Sequence, residues 1–342
     1  MEDITITEVA EKAEVSPATV SRVVNGSAPV SSSKEERVRK AIQELNYKTN
    51  KFASALRKNR SDVVGIVVPD VSNPFFSTLI RGAENQLFNS EKAGMICDLD
   101  SKPKREGEYV DKLLREQVDG VIIVSTQKSV SHIKRIQKKG IAIVAADRDP
   151  YLEGISKVMA NNHKGGNIAC DHLIKQGYQT FGFLKGPSGT STATLRYEGF
   201  KEELHDHGLE LRNEFVFKGN YSFDGGRKAA KKLIGSIEEQ HFPFGIVAAD
   251  DLMALGAIQE FIKADLDIPN DVGIVGFDNI FMTKLLNPSV STIQVPAYEM
   301  GQEAANILVD NIEIKYKGKS TLITEKIFDV ELIPRETSKL EV

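Results

Sequence analysis

Two sets of residues in this 342-residue chain have types and spacings that could do chemistry. The first lies between positions 16 and 25. Ser16, Thr19, Ser21 and Asn25 carry short polar groups suited to phosphates or base edges, and Arg22 is the one long donor among them. Its guanidinium fork matches the O6 and N7 acceptors of guanine. Pro17 and Ala18 offer only apolar contact, of the kind a thymine methyl accepts. The second set is dispersed: Asp70, Asp98, Asp147, Asp250 and Asp278 each follow an apolar run. If those runs are parallel strands, the carboxylates sit at the end of the sheet where open α/β folds bind ligands.

The elements that must position these groups can be read from periodicity. Ile6, Val9, Ala10 and Ala13 make an apolar face at helical spacing. Ser16 can cap a second helix, and Pro17 suits its first position because the N–H it lacks had no partner there. Val20, Val23 and Val24 are its buried side, and Asn25-Gly26 ends it. A third helix is expected over 33–45, with Val38, Ala41, Ile42 and Leu45 inward. Two helices joined by a tight turn and braced by a third form a helix-turn-helix unit. From position 63 the pattern changes. Apolar runs at 63–69, 94–99, 120–124, 141–146, 180–184, 244–249 and 272–277 alternate with amphipathic segments. Such alternation gives parallel sheets with helices on both faces, and the length predicts two Rossmann-like subdomains.

Composition narrows the function classes. Apolar residues make up 41% and charged residues 27%, which excludes disorder, collagen-like fibres and coiled coil as the main architecture. The net charge of −4 is unevenly spread: residues 1–60 carry 11 Lys/Arg against 8 Asp/Glu. Five of those cations fall between positions 45 and 61, where there is no acid. A basic end on an acidic body suggests a polyanionic partner at one end only. No apolar run is long enough to span a bilayer, and the first residues do not resemble a secretory signal, so a cytoplasmic protein with no membrane partner is expected. Cys97 and Cys170 lack metal-like spacing and read as buried thiols. The histidines form no metal motif, and no phosphate-binding glycine loop is present. No metal, no cofactor and no enzymatic activity are therefore expected. A periplasmic transport protein would need a signal peptide and no helix-turn-helix.

Residues 5–26, which include Ala18-Thr19-Val20-Ser21-Arg22-Val23-Val24-Asn25, resemble the helix-turn-helix of the lactose/galactose repressor (LacI/GalR) family. Asn50, Ala53 and Leu56 are spaced as in that family's hinge helix, and the body resembles its type I periplasmic-binding-protein-like core. The resemblance implies a helix-turn-helix domain over 1–48, a hinge helix over 49–60 and a core over 61–342. Within the core it implies an N-subdomain of about 61–161 plus 293–322 and a C-subdomain of about 162–292 plus 323–342. It implies that the second helix enters the major groove, that Thr5, Lys48 and Asn50 meet the DNA backbone, and that Leu56 wedges into the minor groove at the operator centre. A pseudo-palindromic double-stranded operator then requires a homodimer. Two departures stand out: Glu14 occupies a turn position where the family often has glycine, and Ser54 a hinge position where it often has arginine.

Five places in the core suit an effector. Asn73, Phe75 and Phe76 follow the first run, Asp147-Arg148 ends another, Arg196 opens a helix, Phe223 follows Tyr221-Ser222, and Asp250, Asp278 and Gln294 end later runs. Aromatic faces suit the C–H face of a sugar, and carboxylate, guanidinium and amide groups suit its hydroxyls. The set is similar to that of ribose-binding periplasmic proteins and ribose-operon repressors. Asp250 departs from the usual asparagine, and Asp251 is the expected N-cap of the following helix. The proposed charges sum to −1, which favours a neutral sugar over a phosphosugar. Ribose is the first expectation; another pentose, a hexose or a nucleoside remains open. So does a global carbon-catabolite regulator with a phosphorylated carrier-protein corepressor, and whether the sugar induces or co-represses.

Overall fold

The computed structural model describes residues 4–25, 28–47, 60–126 and 130–340. The chain divides into two compact units, Met1–Ser61 and Asp62–Val342.

The first unit contains α1 (Ile6–Lys12), α2 (Pro17–Asn25) and α3 (Ser32–Glu44). Thr5 starts α1 through a capping box. Its hydroxyl accepts from the Glu8 N–H at 3.3 Å, and the Glu8 carboxylate accepts from the Thr5 N–H at 2.6 Å. The Ser16 hydroxyl accepts from the Thr19 N–H at 3.2 Å and so caps α2. Helices this short do not persist alone in water. Val9, Ala10, Ala13, Val20, Val38 and Ala41 hold them together in one buried cluster. The turn between α1 and α2 places Glu14 at φ +51°, in the left-handed region. The glutamate side chain there costs about 1 kcal/mol relative to glycine. Its exposed ion pair with Arg37, at 3.1 Å, offsets little of that cost.

The second unit holds two six-stranded sheets. The first comprises β1 (Val63–Val68), β2 (Ala93–Asp98), β3 (Gly120–Ile123), β4 (Ala142–Ala146), β5 (Ser156–Ala160) and β11 (Glu325–Phe328). Their order is β11-β5-β4-β3-β1-β2, all parallel. The second comprises β6 (Thr180–Lys185), β7 (Val216–Lys218), β8 (Phe244–Ala248), β9 (Val272–Asp278), β10 (Ser291–Gln294) and β12 (Glu331–Ile333). Their order is β12-β10-β9-β8-β6-β7, parallel except for β12 on β10. Helices α4 (Pro74–Asn89), α5 (Lys104–Arg115), α6 (Ser131–Lys138) and α11 (Ala297–Tyr316) flank the first sheet. Helices α7 (Asn162–Gln176), α8 (Ser191–Asp206), α9 (Phe223–Ile234) and α10 (Asp251–Lys263) flank the second. Cys97 and Cys170 are free and buried.

All seven apolar runs fold as strands. The five strands without such a run are short or polar: β5 carries Lys157, and β11 opens with Glu325-Lys326. This moves the subdomain boundaries from those expected. Residues 323–342 were assigned to the second subdomain, but β11 pairs with β5 and returns 325–328 to the first sheet. Residues 293–294 were assigned to the first, but they pair along β9 in the second. The edge strand β11 is largely exposed, so it carries no apolar signature that would reveal its partner. The chain therefore passes between subdomains after β5, after β10 and after β11.

Candidate ligand cleft and nucleic-acid-binding helix

The carboxyl ends of the two sheets face one another across a cleft. Asn73, Phe75, Phe76, Asp147 and Arg148 line it from the first subdomain; Thr192, Arg196, Tyr221, Asp250 and Asp278 line it from the second. Local structure sets each position. Asn73 caps α4, its side-chain carbonyl accepting from the Phe75 N–H at 3.0 Å, which turns Phe75 and Phe76 into the cleft. Asp147 and Asp278 end β4 and β9 at φ +62° and +106°. Left-handed aspartates at two strand ends are backbone strain of the kind found at functional sites.

Arg196 is held on all sides. Its Nε donates to Asn162 Oδ1 at 2.7 Å, and its two terminal nitrogens donate to the Ala249 carbonyl at 2.6 Å and Asp278 Oδ1 at 3.1 Å. Its guanidinium lies 3.8 Å over the Phe277 ring. Arg148 sits between Phe76 and Tyr221, at 5.5 and 5.4 Å from their ring centres. The Asp149 N–H donates to Ser191 Oγ at 2.8 Å and adds a direct bond between subdomains. The halves are closed together: the cleft keeps about 10 Å³, room for a water-sized sphere.

Among the described residues, three buried side-chain atoms have no hydrogen-bond partner: Asp147 Oδ1, Arg148 Nε and Asp250 Oδ2. All three residues line this cleft. Buried polar groups without a hydrogen-bond partner are costly, and these three converge on one cleft. Burial pushes the Asp147 carboxyl up, against the pull of Arg148 and Arg196. Burial also raises Asp250 to about 6 and Asp251 to about 8. It carries Asp278 well above the usual carboxylate range despite Arg196. Burial opposes the charge on Arg196, but Asp278, Tyr221, Asp147 and Asp250 together outweigh it and keep the guanidinium charged.

Three expectations are corrected. Phe223 is 38% exposed and does not line the cleft; Tyr221 does. Ser222 caps α9 by accepting from the Gly225 N–H at 3.1 Å, which places Phe223 at the first helical position, outside the lining. Tyr221 precedes the cap at φ +60° and turns inward, and Gly186 makes room for it: a Cβ there would come within 2.4 Å of the ring. The Ser222-x-x-Gly225 cap was the available signal. Gln294 also lies outside the lining; its Oε1 accepts from Asn279 Nδ2 at 2.8 Å. Finally, Asp250 rather than Asp251 caps α10, its Oδ1 accepting from the Met253 N–H at 2.9 Å. Asp251 instead accepts from the Thr292 hydroxyl at 2.6 Å and the Ile280 N–H at 2.8 Å, tying α10 to its sheet. Asp70 and Asp98 serve the turn before α4, accepting from Ser72 and Val71 N–H groups.

In the first unit, Pro17, Ala18 and Arg22 lie exposed along α2, with Thr19 and Ser21 half-buried beside them. Ser16 is exposed but spends its hydroxyl on the cap and on Thr19 Oγ1, 3.0 Å away. Thr5 is exposed and engaged with Glu8. Lys48, Asn50, Ala53, Ser54 and Leu56, and the side chain of Asn25, lie outside the described residues.

The chain matches known proteins over both units. The family model for periplasmic binding proteins and the sugar binding domain of the LacI family covers residues 61–333, and that for bacterial regulatory proteins of the lacI family covers residues 5–50. The chain is 36% identical over 338 residues to the ribose operon repressor of Halalkalibacterium halodurans, spanning 98% of this chain and 97% of that one. It is 31% identical over 324 residues to catabolite control protein A of Priestia megaterium, spanning 94% of each. The solved structure of a LacI family transcriptional regulator from Enterococcus faecium with bound ribose is similar at a TM-score of 0.72 and 30% identity, spanning 82% of this chain and 100% of that one. With a helix-turn-helix of this family at one end and its two-sheet core over the rest, the chain belongs to the LacI family of bacterial DNA-binding transcriptional repressors.

Proposed function

We propose that this chain represses a sugar-utilisation operon and that a small neutral sugar, ribose first, binds its cleft and releases it from the operator. The observation that carries the reading is the set of three buried polar atoms of Asp147, Arg148 and Asp250 that have no hydrogen-bond partner, flanked by Phe75, Phe76 and Tyr221. Hydroxyls both donate and accept, so a polyol can satisfy carboxylate and guanidinium together, while aromatic rings cover its C–H face. A phosphosugar fits poorly, because carboxylates outnumber guanidiniums in the lining. The ribose operon repressor relative and the ribose-bound neighbour support the same choice.

Arg22 reads a guanine from α2, and Pro17 and Ala18 pack on the neighbouring bases. A homodimer places two such helices on a pseudo-palindrome. Exposed Phe88 on α4 and Ile96 on β2 supply apolar surface for it. A ligand held by both subdomains favours their closed arrangement, and it shifts the equilibrium only by its differential affinity for the two arrangements. The relative named catabolite control protein A favours a second reading, a global carbon-catabolite regulator. Isothermal titration against pentoses, hexoses, nucleosides and phosphosugars decides: heat with ribose supports the first reading, and silence from every sugar contradicts it.

A further inference from the structure

We propose that the cleft takes up a proton together with its neutral sugar, and that Asp250, as a neutral carboxylic acid, donates a hydrogen bond to a sugar oxygen. The inference rests on the sugar reading of the cleft and specifies its regulation.

Charged and titratable groups from four elements line the cleft with Asp250. From the end of β4 come Asp147 and Arg148, from α8 Arg196, from the turn before α9 Tyr221, and from the end of β9 Asp278. Asp251 adjoins it in sequence and is also fully buried. Leaving out Asp251, whose two oxygens are spent on Thr292 and Ile280, the lining sets three carboxylates against two guanidiniums. A neutral ligand brings no charge to correct the excess, and sealing it away from water is costly. One proton held among the three carboxyls makes the set neutral.

Geometry says where that proton is useful. Asp278 Oδ1 already accepts from Arg196 at 3.1 Å. Asp147 Oδ2 lies 3.6 Å from Arg148 Nε. Asp250 touches neither guanidinium: Oδ1 accepts from the Met253 N–H, and Oδ2 is buried with no partner. An oxygen with no cation against it is the one that gains from becoming an O–H, since a protonated carboxyl donates where a carboxylate only accepts. Oδ1 stays an acceptor for the helix cap, so the proton goes on Oδ2 at no cost to α10. The same atom then offers what an asparagine amide would offer. Burial, which already raises this carboxyl to about 6, acts in the same direction.

The test is calorimetric titration of the full-length protein with ribose at pH 7.5, in phosphate and in Tris, whose ionisation heats differ. Asp250→Asn and Asp250→Ser run beside it; both keep a capping side chain and neither titrates. Wild type should take up about one proton per sugar, and its affinity should fall by about tenfold per pH unit above pH 7. Both variants should show buffer-independent heats and a flat pH profile. Equal wild-type heats in the two buffers, or uptake retained by both variants, overturns the inference while leaving the sugar reading intact. Heat from none of the pentoses and hexoses contradicts the sugar reading and takes the inference with it.

Discussion

The Arg148 guanidinium lies 5.4 Å over the ring of Tyr221, and the two residues belong to opposite subdomains. A cation stacked on a desolvated aromatic contributes on the order of 1–2 kcal/mol, so this contact helps to hold the halves together. Tyr221 reaches it only because position 186 is glycine. Gly186→Ala should displace the ring and, at an overpacking cost of about 1–3 kcal/mol, weaken sugar binding roughly tenfold or more. Operator affinity without sugar should not change. Calorimetry with ribose and fluorescence anisotropy with operator DNA measure the two quantities, and unaltered ribose affinity counts against the placement of Tyr221 in the site.

Arg196 anchors the second subdomain. Its removal leaves the buried Asp278 carboxyl without its cation and frees the Ala249 carbonyl. Arg196→Ala should therefore lose about 3–5 kcal/mol of stability, besides losing the response to sugar. Urea denaturation of both proteins is the check. A variant as stable as wild type would mean that Arg196 contacts ligand alone and braces nothing.

Glu14 stores strain at the turn before α2. Glu14→Gly should stabilise the helix-turn-helix unit, by up to about 1 kcal/mol if the left-handed backbone accounts for the whole effect. Glycine's looser unfolded chain works against part of that gain. Thermal melting followed by circular dichroism reports the change, and a lower melting temperature would show that the Arg37 ion pair outweighs the strain.

The raised carboxyls give stability a definite pH dependence. For Asp250 and Asp251 the folded values, about 6 and about 8, lie above the ordinary aspartate value of 3.8. The folded state thus holds protons that the unfolded chain releases, and stability falls as pH rises through that window. Asp251→Asn should flatten the decline between pH 4 and about pH 8, read as the slope of denaturation free energy against pH rather than its absolute value. An unchanged slope would show that Asp251 stays ionised when buried.

Arg22→Ala should remove a bidentate base contact worth about 1–3 kcal/mol of discrimination. Binding to a scrambled duplex should change little, because Arg22 is exposed on α2 and is assigned to a base rather than a phosphate. Equal losses on both duplexes, measured by anisotropy at one salt concentration, would make it a phosphate contact.

Much of this architecture was legible because strong local signals agreed. Ser16-Pro17 announces a helix start, the valines of α2 mark its buried face, and seven apolar runs become seven strands. Failures came where tertiary pairing decides. β11 is exposed and charged, so nothing local says that it joins β5. Asp250 and Asp251 are adjacent carboxylates, each able to cap a helix, and the choice depends on where Thr292 and Ile280 arrive from β10 and the loop after β9. Phe223 and Tyr221 are two positions apart, and only the Ser222 cap separates the inward ring from the outward one. Of the cleft residues expected, Asn73, Phe75, Phe76, Asp147, Arg148, Arg196, Asp250 and Asp278 do converge.

On the proposed function, sugar and operator compete through one conformational equilibrium. Binding free energies are reciprocal, so operator must weaken sugar by the factor by which sugar weakens operator. Titration of the full-length protein with ribose, alone and with saturating operator duplex, measures that factor directly. Ribose should bind more weakly on operator by roughly 5- to 150-fold; identical affinities in the two titrations would rule the coupling out.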